Sequence, residues 1–455
     1  MNSSIIGSLL SLACILITTR LLLKKYNPHA VLLFSGLIML SFSFILNYKM
    51  PELSDSSGFS GFDLFKYIKE SFANTNSNVG LMIMAIGGFV AYIDKIGASN
   101  CLVYVAMKPL KLFKKHPYLA ASLVIPISQV LFIAIPSAAG LGLLLMASLF
   151  PILINLGVSR ISAVSVITAS TALGIGPASA ITASASSIVK LDIVSFFLNH
   201  QIVLASILSV SLTISYYFVN KYFDAKSLDT QSKIEVQEKT ITAPIIYAII
   251  PVIPIILLLV FSKLFNFFEV PITLDTTTAM LISLFIAVLF ELIRTKDIRF
   301  VFNSLKTFWD GMGNIFKSVV TLIIAADIFA KGLISLGFIE GLLSLSLNLG
   351  LNAVGVSIVM TIMIFLASML MGSGNAAFFA FGPLVPKIAA KLGVSSTSMI
   401  LPMQLSASMG RTVSPVAGVL IAVAEIAGVS TLEIVKRNLI PLIVAMFIML
   451  CYQFI

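Results

Sequence analysis

Apolar runs of about 20 residues, separated by short polar stretches, recur along the whole chain. That is the length a helix needs to cross ~30 Å of hydrocarbon, so the pattern predicts an all-α polytopic membrane protein. In the first half, spans are expected near 3–23, 29–47 and 80–97, then a basic amphipathic segment at 99–118, an apolar stretch at 119–156, and spans near 161–189 and 194–218. The second half supplies 243–264, 276–294, 314–336, a second long stretch at 353–392, and 397–427 and 432–454. The first run has no charge before it and no small-residue cleavage site after it, so a retained span is expected and no signal peptide. Each long stretch is broken at its centre, by Ile135-Pro136-Ser137-Ala138-Ala139-Gly140 and by Met371-Gly372-Ser373-Gly374-Asn375. Proline lacks an amide donor and glycine weakens a helix, so each stretch reads as two half-helices in a re-entrant hairpin.

The two halves also match in order. Lys95 aligns with Lys331, Ser137 with Ser373, and Leu156-Gly157-Val158-Ser159 with Leu392-Gly393-Val394-Ser395, all at one spacing. At slightly larger spacings Thr168-Ala169-Ser170 meets Ser406-Ala407-Ser408, Pro177 meets Pro415, and Leu191-Asp192-Ile193-Val194 meets Leu432-Glu433-Ile434-Val435. This series predicts a duplication: a first repeat at 1–218, a polar linker at 219–242, and a second repeat at 243–455, as carriers commonly show. With about five spans and one hairpin per copy, an odd count, the second copy enters the membrane inverted. Placing both termini outside puts 19 of the 29 basic residues in inner loops, with the linker cytoplasmic, as the positive-inside rule requires. Counting one half of each broken stretch as a full span would give about twelve, counting both about fourteen, and hydropathy does not separate these counts.

Composition removes several classes of function. Of 455 residues, 58% are hydrophobic and 11% charged, well below the roughly one quarter charged in soluble domains. The net charge of +10 comes with no basic block able to bind nucleic acid and is explained by loop topology. Cys14, Cys101 and Cys451 are scattered, without metal-ligand spacing. There is no zinc-protease motif, phosphate-binding loop or nucleotide-binding glycine turn, so neither an enzyme, a catalytic residue, a metal site nor a cofactor is expected.

The remaining chemistry lies where polar groups fall at mid-membrane, at the tips Ser137–Gly140 and Gly372–Ala376 and in the interrupted spans around Thr168–Ser179 and Ser406–Gly418. Broken helices there would present free N-termini, which bind anions. Small residues at such points also serve close helix packing, but four clusters at matching positions favour a site. Asn375 is either interhelical glue or a ligand, and its glycine-rich setting favours a ligand. Arg411 is the arginine furthest from the ends of a predicted span, a functional candidate with a structural ion pair as the alternative. Lys331 reaches Asp327 one turn away and reads as a structural pair. Lys317 and Glu425 fall near span ends, and His29, His116 and His200 read as loop or interfacial residues.

At Leu370-Met371-Gly372-Ser373-Gly374-Asn375-Ala376-Ala377-Phe378 and Gly410-Arg411-Thr412-Val413-Ser414-Pro415-Val416-Ala417-Gly418 the chain resembles the DcuC-type anaerobic carriers of four-carbon dicarboxylates. Ser137-Ala138-Ala139-Gly140-Leu141-Gly142 and Gly87-Gly88-Phe89-Val90-Ala91-Tyr92 extend the likeness over nearly the whole chain. The resemblance implies the ion-transporter superfamily fold, usually a homodimer in a bacterial inner membrane. It implies uptake, exchange or efflux of succinate, fumarate, malate or aspartate by elevator-type alternating access, with a proton or sodium as possible coupling ion. It further implies a substrate site built from Ser137, Ala138, Ala139 and Gly140, from Ser373, Gly374, Asn375 and Ala376, and from Thr168, Ser170, Ser408, Thr412 and Ser414, with Arg411 supplying positive charge. The first tip departs from the Ser-Asn-Thr of the sodium-coupled dicarboxylate branch, which leaves coupling and substrate choice open. The nearest alternative is a same-fold carrier of amino acids or other carboxylates, like the YfcC-type proteins, and a more distant one is an anion channel.

Overall fold

The computed structural model describes residues 3–113, 115–226, 243–262, 272–348 and 350–454, and among them there is no strand. The first half runs α1 Ser3–Leu23, α2 Pro28–Ile45, α3 Ser60–Thr75, α4 Leu81–Lys95, α5 Ala98–Met107 and α6 Pro117–Ala134. It continues with α7 Ala138–Ser148, α8 Phe150–Asn155, α9 Arg160–Ala169, α10 Ala180–Ile188, α11 Ile193–Phe196 and α12 Ile202–Lys226. The second half holds α13 Ile253–Val260, α14 Thr276–Thr295, α15 Ile298–Ser304, α16 Lys306–Ile315, α17 Thr321–Ser335 and α18 Phe338–Asn348. It ends with α19 Ala353–Met371, α20 Gly374–Phe381, α21 Val385–Leu392, α22 Ser396–Thr412, α23 Gly418–Ala427 and α24 Thr431–Phe454.

Seven helices among the described residues are long and apolar enough to cross a bilayer, or eight if α4 and the helical segment after it, bent by 76°, form one span. Five of the seven are expected spans, whereas α6 and α19, expected as half-helices, are each long enough to cross; the expected spans at 161–189 and 397–427 do not qualify because they are interrupted. The stretch 161–189 divides into α9 and α10, and 397–427 divides into α22 and α23, with irregular backbone at 170–179 and 413–417. Both long stretches also break where Pro136 and Gly372 stand. One expected loop is helical: residues 60–75 form the amphipathic α3, joined to α4 through a π-helical turn at Asn76–Gly80. Its polar face carries Asp63, Lys66, Lys69 and Glu70, which lowers its hydropathy below that of a span.

Local chemistry explains the sequence landmarks. In Leu156-Gly157-Val158-Ser159 the glycine takes a left-handed backbone (φ +88°) that closes α8, and Ser159 caps α9 through the Ser162 amide. Leu392-Gly393-Val394-Ser395 does the same, with Gly393 at φ +68° and Ser395 capping α22. Ser137 and Ser373 likewise cap α7 and α20. The alignment of Lys95 with Lys331 does not hold. The π-helical turns Asn76–Gly80 and Phe316–Val320, and the left-handed Gly97 and Gly337 that follow α4 and α17, align four residues further on and place Lys95 against Ser335.

Glycine sets the close crossings. A Cβ on Gly36 of α2 would stand 2.6 Å from the Ile328 carbonyl carbon of α17, and one on Gly332 would stand 2.8 Å from the Gly36 oxygen. On α16, a Cβ on Gly311 would meet Ala91 Cβ at 2.6 Å and the Gly87 oxygen at 2.9 Å on α4. In lipid, where apolar surface alone drives no association, such approach supplies the packing energy.

Candidate functional site

The site is assembled from three pieces of irregular backbone. The second tip packs on the second break: a Cβ on Gly372 would lie 2.9 Å from the Val416 oxygen, and one on Gly374 would lie 2.7 Å from the Ala407 oxygen. The first break reaches the same place, since a Cβ on Gly174 would lie 2.5 Å from Ser408 Oγ. Ser408 therefore stands between the first break and the second tip. Arg411 ties the breaks together by donating from Nη2 to the Thr171 carbonyl at 2.5 Å. Its Nε is buried and has no partner, and no carboxylate pairs with it among the described residues. The structural ion pair considered for Arg411 is thus absent there.

Thr168 and Thr412 meet through Asn438, which donates from Nδ2 to Thr168 Oγ1 at 2.9 Å and to the Thr412 carbonyl at 3.0 Å. Tyr216 donates its hydroxyl to the Asn438 Oδ1 at 3.0 Å, fixing the amide's orientation. Ser170 and Ser414 are fully buried but turned to their own chain: Ser170 donates to the Val166 carbonyl at 3.0 Å, and Ser414 Oγ accepts from the Val416 amide at 3.3 Å. They shape the breaks through these local bonds, Ser170 as donor and Ser414 as acceptor.

The tips offer fewer amides than the count of small residues implies. Ser137 Oγ accepts from the Gly140 amide at 3.1 Å and Ser373 Oγ from the Ala376 amide at 3.2 Å. Those first-turn donors are consumed by the caps. The earlier amides of Ala138, Ala139, Gly374 and Asn375 belong to the first-turn positions that no intrahelical carbonyl can reach. The Asn375 side chain makes no hydrogen bond among the described residues. The first tip has different surroundings. Asp94, held by the Ser99 hydroxyl, places Oδ2 3.9 Å from where a Cβ on Gly140 would be, and Gly142 of α7 packs on Val419 of α23. It meets the first break through Ile133, whose Cγ2 lies 2.7 Å from a Cβ built on Gly176.

Sequence reasoning missed the amides that hold the breaks open. Gln404, inside α22, donates from Nε2 to the Gly174 carbonyl at 2.8 Å and to Thr182 Oγ1 at 3.0 Å. Gln201 donates to Gln404 Oε1 at 2.9 Å and accepts the Gly176 amide at 3.2 Å. All are buried. The available signal was a glutamine in a membrane span, which is expensive unless satisfied. The charge count takes Arg437 as one of the inner-loop basic residues, whereas it lies inside α24, buried against Asp224 at 2.8 Å with Ser162 and Asn220. Lys331 does pair with Asp327, at 2.8 Å, and also donates to Ser71 of α3.

Interrupted helices that pack on one another, with a guanidinium, its Nε buried, that no carboxylate pairs among the described residues and helix N-termini at the breaks, are features of a multi-span membrane transport protein. Comparison with known proteins makes this specific: residues 6–455 match the family model DcuC, C4-dicarboxylate anaerobic carrier, and the chain belongs to that family. It is 34% identical over 443 residues to the anaerobic C4-dicarboxylate transporter DcuC of Escherichia coli K12, covering 97% of this chain and 95% of that one. It is 34% identical over 428 residues to the probable anaerobic C4-dicarboxylate transporter DcuC of Vibrio cholerae, covering 93% and 92%. Among solved structures it resembles the YdaH transporter of Alcanivorax borkumensis, with a TM-score of 0.62 at 13% identity over 94% of this chain and 98% of that one. The family is one of transporters and not of enzymes, as the sequence predicts.

Proposed function

We propose that this chain is a secondary carrier of four-carbon dicarboxylates such as succinate, fumarate, malate and aspartate. Arg411 carries the reading: a guanidinium in the last turn of α22, where an expected span breaks, with a buried, unpartnered Nε and, among the described residues, the neutral Thr171 carbonyl as its acceptor. A mid-membrane arginine is costly on any scale, at least about 2.5 kcal/mol, and an anionic substrate offsets that cost when bound. A carboxylate accepts from a guanidinium through two parallel hydrogen bonds, and the second carboxylate of a diacid finds the first-turn amides and side chain of Gly374 and Asn375. Membership of a family described as C4-dicarboxylate carriers supports the same class of substrate.

In this reading the protein is a homodimer in a bacterial inner membrane, its second repeat inverted relative to the first, and the hairpin-bearing part moves as an elevator against the α2–α17 and α4–α16 crossings. Proton or sodium supplies the coupling. The test is counterflow in proteoliposomes with labelled succinate, aspartate and citrate under separate sodium and proton gradients. Preloaded unlabelled succinate accelerates labelled uptake by a carrier. No acceleration, or transport of citrate alone, contradicts the proposal.

A further inference from the structure

A second group of cationic side chains lines a cavity that does not include Arg411. A cavity of about 930 Å³ lies where the segment after α2, the bend between α17 and α18, and the outer face of α21 converge. Its walls carry four lysines, Lys49, Lys331, Lys387 and Lys391, against three carboxylates, Glu52, Asp327 and Glu340. Two lysines are already matched: Lys331 holds Asp327 at 2.8 Å, and Lys391 is bonded to Glu340. Lys49 and Lys387 are exposed and make no ion-pair contact among the described residues, although the charge of Lys387 also acts on Glu340. Glu52 leaves the cavity one net positive charge, and two ammonium groups without an ion-pair contact, one from the segment after α2 and one from α21, suit a ligand with two negative ends.

We infer that this cavity is an outer capture site for dicarboxylate, separate from the Arg411 site; the inference rests on the carrier reading above. Lys387 follows Gly374 by thirteen residues, so the cavity sits roughly 20 Å along the hairpin arm from its tip at helical rise. Seven ionisable side chains do not sit in hydrocarbon, so the cavity faces water at one membrane surface. Its apolar walls, Ile334, Leu336 and Ile339, focus the field of the excess positive charge and raise the local concentration of dianion. Lys49 and Lys387 then act on substrate encounter, while chemistry at the tip is left to Arg411 and Asn375.

Ala390 lines the same cavity and is exposed, so Ala390→Cys in the full-length chain places a thiol reporter there. The probes are an anionic and a cationic methanethiosulfonate at low ionic strength. Replacing both lysines, Lys49→Gln with Lys387→Gln, is expected to lower the anionic-to-cationic rate ratio roughly tenfold, the low end of focusing effects. Succinate is expected to slow labelling of Ala390→Cys, and to do so equally in an Arg411→Lys background. In uptake, the double lysine variant is expected to raise KM with maximal rate unchanged, and high salt to erase the difference. An unchanged rate ratio, or no protection by succinate while the parent transports it, overturns the outer site. Protection without any succinate transport by the parent keeps the outer site and overturns the carrier reading.

Discussion

Gln404, in the second half of the chain, donates from Nε2 to the carbonyl of Gly174, in the first half, across 2.8 Å of fully buried space. A broken helix leaves carbonyls without intrahelical partners, and in lipid no water replaces them. The irregular backbone at 170–179 therefore persists because a side chain from α22, steadied by Gln201 and Thr182, satisfies it.

Gln404→Leu has a similar size but removes that donor, leaving the Gly174 carbonyl with only the long 3.4 Å bond from the Thr182 hydroxyl and the Gln201 amide with only its bond to Thr182. A buried unsatisfied group costs about 1–3 kcal/mol, so the variant is expected to unfold at lower temperature in detergent and to lose transport. Parent-like melting would show that the break holds without its clamp.

Asn375 behaves oppositely. Its side chain bonds nothing among the described residues, so Asn375→Leu is expected to leave thermal stability and membrane abundance unchanged. If the amide contacts substrate, uptake of labelled succinate falls to background. Normal uptake would return Asn375 to a packing role.

Arg437 and Asp224 form a pair whose side chains are 7% and 5% exposed. Removing one partner from a buried pair costs about 3–5 kcal/mol because the other charge is left uncompensated, whereas apolar replacement of both is far milder. Asp224→Leu or Arg437→Met alone is expected to lower melting temperature strongly, and the double variant to recover most of the loss. Equal losses in single and double variants would mean that the surrounding Ser162 and Asn220 bonds, not the charges, hold α12 to α24.

Much of this architecture is legible in the chain. The breaks announce themselves by Pro136, Gly372 and the serines that cap the following half-helices, because helix stops and starts are local chemistry. The Leu-Gly-Val-Ser motif recurs for the same reason. What pairs across the fold is harder to read: Gln404 with Gly174, Asn438 with Thr168 and Arg437 with Asp224 join positions hundreds of residues apart, and no local pattern names the partner. Aligning Lys95 with Lys331 failed because identity of a charged residue was weighed above backbone features, whereas Gly97 and Gly337 share a left-handed conformation (φ +80° each) that few other residues adopt. The charge count puts Arg437 in a loop because it follows Lys436 near the start of α24; burial beside Asp224 is invisible to hydropathy. At the tips, the caps consume the Gly140 and Ala376 amides, a detail only geometry supplies.

The central claim is that Arg411 grips a substrate carboxylate. Lysine keeps the charge and can still donate to the Thr171 carbonyl, but it lacks the planar fork that matches a carboxylate. The measurement is the shift in melting temperature that saturating succinate produces in purified Arg411→Lys beside the parent. A clear rise in the parent that is largely lost in Arg411→Lys, with the unliganded melting temperatures alike, is the predicted result. Equal stabilisation of the two by succinate would contradict it.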